Sequence, residues 1–432
     1  MFLLFIILVI VFSIPGVQTF IASKVTGSIN EKNNVDISIG RIGFSYNGKV
    51  NVDDILIRDH HNDTLIYAQE VQTSVLSLSS LLDVTPLLGT TVIEHLQMDM
   101  RVYEGEKKDN LSVFSEKFKP KKRKKESVPF ELNAGEVEII NSQFTYIDEN
   151  ADYPEIVGVD DLNVVGNDLW INGSDVSLEI QNMSGLERRG LTVDFLRADF
   201  SYTTSELELR NLELETPESR VVGDIHLNTE EGYGDFVNKV IITANFEEAA
   251  VSTSDLQAFY SEFGDEQLLE FSTVFKGPLN NFRLDDLVFH GMDRSTIIGD
   301  LIVQNIFAKE DEVFSVQGDL QNLSTNYYDL VNLLPNLLRG KLPEEIREFG
   351  NVRFEGYAVV TNSSVDADVT IQSQLGDAEV TMMIGNFDEA EEVTYLGDIA
   401  ATNFNLGKLL DKKYLGKMAF NLRVDGKGFT AE

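Results

Sequence analysis

Paired imidazoles beside a carboxylate are a donor set that holds divalent transition metals, and this chain offers a histidine pair of that kind once. Five histidines occur in 432 residues, and only His60 and His61 are neighbours, with Asp63 close behind. They fall where Arg58 to Thr64 should turn between two strands, and a polar turn is a plainer reading than a metal site. Asp148, Asn150 and Asp152 imitate the opening of a calcium loop, but Tyr153 stands where glycine is needed and Val159 where a bidentate glutamate is needed. The sequence therefore assigns no metal. It contains no cysteine, which excludes thiol nucleophiles, thiolate–zinc sites, disulfides and an acylated lipoprotein cysteine. HExxH, GxSxG and Walker patterns are absent, and no GxGxxG opens a helix after a strand. Paired carboxylates are too common in so acidic a chain to mark an acid/base couple. The expectation is a protein that is not an enzyme, with no catalytic residue and no cofactor.

The 71 acidic against 35 basic residues give a formal charge of −36, which argues against nucleic acid, since phosphate binding needs a basic face. One basic island interrupts the acidity: Lys117, Lys119, Lys121, Lys122, Arg123, Lys124 and Lys125. A solvated loop between Phe118 and Phe130 is the plainest reading, contact with anionic lipid a second, and a localisation or nucleic-acid signal a third. Six Asn-x-Ser/Thr sequons, at Asn62, Asn110, Asn172, Asn182, Asn322 and Asn362, are equally expected from Asn- and Ser-rich turns. The single Trp170 reads as packing rather than a sugar platform, which weakens an adhesin or glycan-binding alternative.

The elements that carry these residues begin with a membrane signal. No charged side chain occurs from Phe2 to Ser23, and Phe2 to Phe12 is wholly apolar, length enough for a spanning helix. An anchor containing Phe2, Phe5, Ile7, Val11 and Phe12 is expected; a cleaved signal peptide is the rival, disfavoured because no small-residue pair precedes a cut. No Lys or Arg precedes the span, so the expected true start lies upstream. Val17, Phe20, Ile21, Val25 and Ile29 continue at helical spacing until Asn33 and Asn34.

Beyond residue 34 the period is two. Val35, Ile37 and Ile39 alternate with polar residues, as do Ile42, Phe44 and Tyr46, then Val50 and Val52, and the pattern returns through Val137–Ile147, Leu191–Phe200, Leu207–Leu214, Val352–Val360 and Val365–Ile371. One face per strand is apolar and the other polar, which predicts an antiparallel meander with one wet face. In places the phase slips: Leu191, Val193 and Phe195 hand over to Leu196, Ala198 and Phe200, and Leu207 and Leu209 to Leu212 and Leu214. Slips of this kind predict bulges, and repeated bulges let a sheet curl into a trough; ordinary closed sandwiches are the alternative. Short helices are predicted at Asp255–Phe263 (capped by Thr253 or Ser254), Tyr327–Leu334, Glu344–Phe349 and Phe404–Leu415, as lids or plugs. The fold class is mainly β: an N-terminal transmembrane helix, then an elongated, curled antiparallel sheet with a few short helices. The segments are 1–30 for anchor and amphipathic helix, 31–116 for a first β unit, 117–129 for the basic loop, 130–250 for a second β segment and 251–432 for further β units.

The anchor followed by Val35 to Arg58, with Thr64-Leu65-Ile66-Tyr67-Ala68 and Leu76-Ser77-Leu78-Ser79-Ser80-Leu81-Leu82, resembles the opening of the AsmA-like superfamily, and within it TamB-like proteins of Bacteroidetes-type bacteria. Tyr395-Leu396-Gly397, Phe404 to Leu410 and Leu415 to Phe429 resemble the repeated unit of that family. The resemblance implies a single-pass bacterial inner-membrane anchor with a periplasmic body of β-groove units. It further implies a bridge along which phospholipid acyl chains travel toward the outer membrane, contributing to envelope biogenesis. The alternative is the scaffold of a translocation and assembly module for outer-membrane β-barrel proteins. An Omp85-type outer-membrane barrel is the implied partner, through a C-terminal region expected to lie beyond Glu432. Acyl chains require only apolar side chains and gain about 0.8 kcal/mol per buried methylene. Candidate groove-lining residues on the alternating faces are Ile139, Val193, Leu207, Leu209, Val369 and Ile371.

Overall fold

The computed structural model describes residues 15–44, 49–75, 87–118, 131–151, 155–172, 175–233, 235–258, 263–264, 266–292, 294–307, 312–333, 335, 344–386, 391–412 and 414–428. The protein is mainly β, with twenty strands and a few short helices among the described residues, and divides into two compact units, residues 1–217 with 224–240, and 218–223 with 241–432.

The first unit opens with a helix, Pro15–Asn33, ended by Asn34 in the left-handed region (φ 55°), a conformation asparagine tolerates well. Among the described residues no helix is long and apolar enough to cross a membrane; the anchor residues Phe2, Phe5, Ile7, Val11 and Phe12 lie outside them, as do Tyr46 and Leu76–Leu82. The strands that follow are β1 (Asp36–Phe44), β2 (Lys49–Arg58), β3 (Thr64–Val75), β4 (Leu87–Val102), β5 (Glu131–Asp148), β6 (Glu155–Asn172), β7 (Asp175–Glu187), β8 (Thr192–Tyr202) and β9 (Glu206–Glu215). Each pairs with the next. The Asn30 side chain, at the end of the helix, bonds both backbone groups of Ile37, donating to its carbonyl at 2.9 Å and accepting from its N–H at 3.0 Å. That pairing occupies part of the β1 edge, where another strand would otherwise add.

A strictly antiparallel meander is corrected at one step. β4 and β5 run parallel, from Leu87 opposite Asn133 to Val102 opposite Asp148. A parallel pair needs a crossover rather than a hairpin, and the chain between 102 and 131 supplies it, including a helix, Asn110–Glu116, capped by Asp109. Lys117 closes that helix; the remainder of the basic run lies outside the described residues.

The second unit contains β11 (Ile241–Ser252), β12 (Leu268–Gly277), β13 (Asn281–Gly291), β14 (Ser295–Gln304), β15 (Ser315–Thr325), β16 (Val352–Thr361), β17 (Ser364–Ser373), β18 (Gly376–Gly385), β19 (Thr394–Asn405) and β20 (Lys417–Lys427). All are paired antiparallel in chain order. β10 (Arg220–Asn228) pairs with β9. Two helix predictions are corrected. Thr253–Gln257 is helical, but its cap is Ser252, whose hydroxyl accepts from the Ser254 N–H. Among the described residues of the Phe404–Leu415 region, helix is confined to Leu406–Leu409, because Phe404 and Asn405 still pair with β20. Tyr327–Leu333 and the 3₁₀ turn Glu344–Phe349 stand as the sequence predicts.

The phase slips are bulges. Asp54, His95, Asn141, Asp161, Asn211, Asp286 and Asn403 have positive φ inside strands, and register shifts fall at several of them. Three of these bulges share one device. The freed N–H of Asn141 donates to Asn163 Oδ1 at 3.0 Å, that of Asn211 to Asp224 Oδ1 at 2.8 Å, and that of Asp286 to Asp300 Oδ1 at 2.8 Å. A short amide or carboxylate one strand away thus satisfies the donor that the bulge removes from the ladder.

Candidate functional site

Residues directly opposite in neighbouring strands project to the same face, so the registers show what each face is made of. In the first unit one such row runs Ile42, Val52, Val71, Ile93, Ile139, Val164, Met183, Leu196 and Leu214 across nine strands without a polar side chain. In the second, Ala249, Phe271, Phe289, Ile297, Leu323, Phe354, Ile371, Ala378, Ala401 and Phe420 form an equivalent row across ten. Beside the latter lies Leu287, Gly299, Leu320, Gly356, Val369, Val380, Ile399 and Leu422.

The large side chains of the second-unit row, Phe271, Phe289, Ile297, Leu323, Phe354, Ile371 and Phe420, are half-buried. A facing sheet at sandwich distance would bury such residues. Helical elements in this unit sit at one end of the face: the turn Glu344–Phe349 and helix Leu406–Leu409 contribute Phe349, Leu406 and Leu409 to a cluster around Leu375, Ala378, Ala401 and Phe404. In the first unit an end is filled by Met100, Val102 and Tyr146, with Leu111 and Tyr233 packed on them and the Tyr146 and Tyr233 rings 5.2 Å apart. Burial pushes the phenols of Tyr146, Tyr202 and Tyr233 up, and nearby Asp109 adds to it.

All six sequence candidates lie in this apolar system. Ile139 stands in the long first-unit row. Leu209 faces Phe200 and Leu178; Leu207 faces Tyr202. Val193 lies opposite Gly185, across a register shift that returns it to the side of Leu196. Ile371 and Val369 occupy adjacent rows of the second unit, Val369 at 9% exposure. The opposite face is charged and self-paired: Asp285, which burial alone would raise, is held below the usual carboxylate range by Lys276 and Arg283.

A second, polar feature stands at the turn after β2. His60 Nε2 and His61 Nε2 each lie 2.8 Å from a different carboxylate oxygen of Glu106, forty-five residues or more away in the chain. Asp63, the acid suggested by sequence adjacency, instead lies 3.0 Å from the Tyr103 hydroxyl. The organiser is Asp59, buried at 7% exposure. Its carboxylate accepts from the backbone of His61 at 2.9 Å and Asp63 at 3.0 Å, from the Tyr103 hydroxyl at 2.5 Å and from Asn110 Nδ2 at 3.0 Å. Burial would raise this carboxyl, but those four donors hold it below its ordinary value. Glu106 is lowered by its hydrogen bonds to His61 and His60, and His61 is raised by the same contact.

Replacing Asp59 by alanine removes the shared acceptor of the His61 and Asp63 backbone N–H groups and of Tyr103 and Asn110, leaving Tyr103 with Asp63 and Asn110 with the Asp99 carbonyl alone. The expected loss is about 3 kcal/mol of stability, with Asp59→Asn intermediate, read as a lowered thermal midpoint of the first unit.

Compared with known proteins, the chain matches no family model, no curated protein and no solved structure.

Proposed function

We propose that the protein carries the acyl chains of phospholipid along the apolar face of its sheet. On this reading it is an envelope-biogenesis bridge, anchored in a bacterial inner membrane by the segment before residue 15, with its body in the periplasm. One observation carries the reading: the apolar rows continue from strand to strand through each unit, and the large side chains of the long second-unit row stay half-buried. A hydrocarbon chain needs a continuous dry surface and no fixed polar partner, whereas head groups are left in water. The resemblance to AsmA-like proteins points the same way. Elongation and curling of the sheet into a groove belong to this proposal, and the bulges supply the bends it requires.

A second reading, a scaffold that offers a sheet edge to unfolded barrel strands, draws on β20, which among the described pairings bonds to β19 alone. Addition at that edge would use backbone hydrogen bonds and be insensitive to side chains on the apolar face. Photo-crosslinking separates the two: a photoreactive residue at Ile371, on the apolar face, is expected to capture phospholipid, and one at Thr370, on the other face of the same strand, is not.

A further inference from the structure

We propose that His60, His61 and Glu106 form a binding site for one divalent transition metal ion of the zinc type. The nitrogen and carboxylate atoms that would bind all lie within 4.8 Å of one another. Two imidazoles with one carboxylate, plus water in a fourth position, is a zinc donor set, and two imidazole ligands disfavour calcium and magnesium, which take oxygen. Around an ion with ligands at roughly 2.0–2.2 Å, tetrahedral neighbours stand about 3.3 Å apart. The present 2.8 Å separations must therefore open by roughly 0.5 Å, and the wider ones in the set, all within 4.8 Å, must close toward the same value, which rotation of the half-exposed Glu106 carboxylate and of the two rings supplies. Loading moves the Nε2 protons, either to Nδ1 by tautomeric shift or to solvent, so each ring meets the ion as a neutral ligand.

Two further observations separate this cluster from a chance surface contact. The first is that each ligand sits on backbone fixed by other groups. The histidines ride on a turn in which Asp59 accepts from the N–H groups of His61 and Asp63, with Asn62 at φ 69°. The Glu106 turn is held by its own N–H to the Tyr103 carbonyl at 2.9 Å, and Asn150 accepts from the Gly105 N–H at 2.8 Å while donating to the Glu106 carbonyl at 3.3 Å. The second is Tyr103, whose ring stacks on His61 at 3.8 Å and meets His60 edge-on at 5.5 Å. It restricts the rotamers of both rings on one side. On the other side the ligands are open, with side-chain exposures of 21%, 45% and 32%, so an ion can enter. Bound there, it would clip the β2–β3 turn to the start of the crossover that the parallel β4–β5 step requires.

The test is titration of the full chain, purified without polyhistidine tag or chelator, with zinc alone by calorimetry, and with cobalt(II) by visible absorption. One ion per chain, a micromolar or tighter constant and the intense bands of four-coordinate cobalt are expected. His61→Gln and Glu106→Gln should each weaken binding at least tenfold, while His226→Ala leaves it unchanged and millimolar calcium does not compete. Glu106→Gln keeps the side chain's shape, and each variant's circular dichroism and melting point in the absence of metal show whether it folds. Absence of binding to the wild-type chain, or equal affinity in folded Glu106→Gln and wild type, would overturn the proposal.

Discussion

Val369→Asp is expected to reduce the phospholipid that co-purifies with the protein at least tenfold. Val369 lies in register between Gly356 and Val380 on the apolar face. A carboxylate there must be dehydrated wherever an acyl chain passes, a cost of several kcal/mol against about 0.8 kcal/mol gained per methylene. Because Val369 is itself buried, the substitution also strains the fold. Ile371→Asp therefore accompanies it: this side chain is half-buried and its aspartate reaches water when the face is empty. Val193→Asp makes the same test in the first unit. Thr370→Asp, exposed on the other face, is expected to retain lipid. Lipid extraction and mass spectrometry, normalised to folded protein, reads all four.

Gly356→Ala is expected to destabilise the second unit by about 3 kcal/mol or more, measured as a shift in its urea midpoint. The residue has φ 126°, and a Cβ added there would stand 2.3 Å from the Asp368 carbonyl oxygen, so backbone strain and overlap act together. The register shift between Leu320 and Leu323 opposite β16 shows why glycine is used: the ladder bends there and the backbones approach closely. Gly135→Ala is the control. Nothing lies within 4 Å of its added Cβ and its φ is ordinary, so a change between zero and about 1 kcal/mol of stabilisation is expected.

Much of the fold was legible because a half-wet sheet writes its faces directly into alternate residues. Val193 and Leu196 share a face only because Asp194 and Phe195 on β8 oppose Ser184 alone on β7, and the slip in apolar phase showed that without coordinates. The parallel β4–β5 step was not legible: alternation is blind to strand direction, and the crossover that betrays it runs into the basic segment, which reads as a loop. Helix ends were missed by a residue or more wherever a strand competed for the same chain, as at Phe404 and Asn405. The apolar face needed only periodicity, so its residues could be named in advance. Glu106 could not, since no local pattern links it to His60 and His61; their contact depends on the turn after β2 and the turn after β4 meeting at the same end of three paired strands. The one sequence signal was Asp59-His60-His61-Asn62-Asp63, a run of turn formers too polar for its neighbours.

The central claim is that the apolar face carries acyl chains, and photo-crosslinking in membranes tests it most directly. Photoreactive residues at Leu323 and Ile371, in the long second-unit row, are compared with those at Asn322 and Thr370 on the opposite face. The account predicts phospholipid adducts at the first pair and none at the second. Equal labelling of both faces, or adducts at neither while the protein is folded, would contradict it.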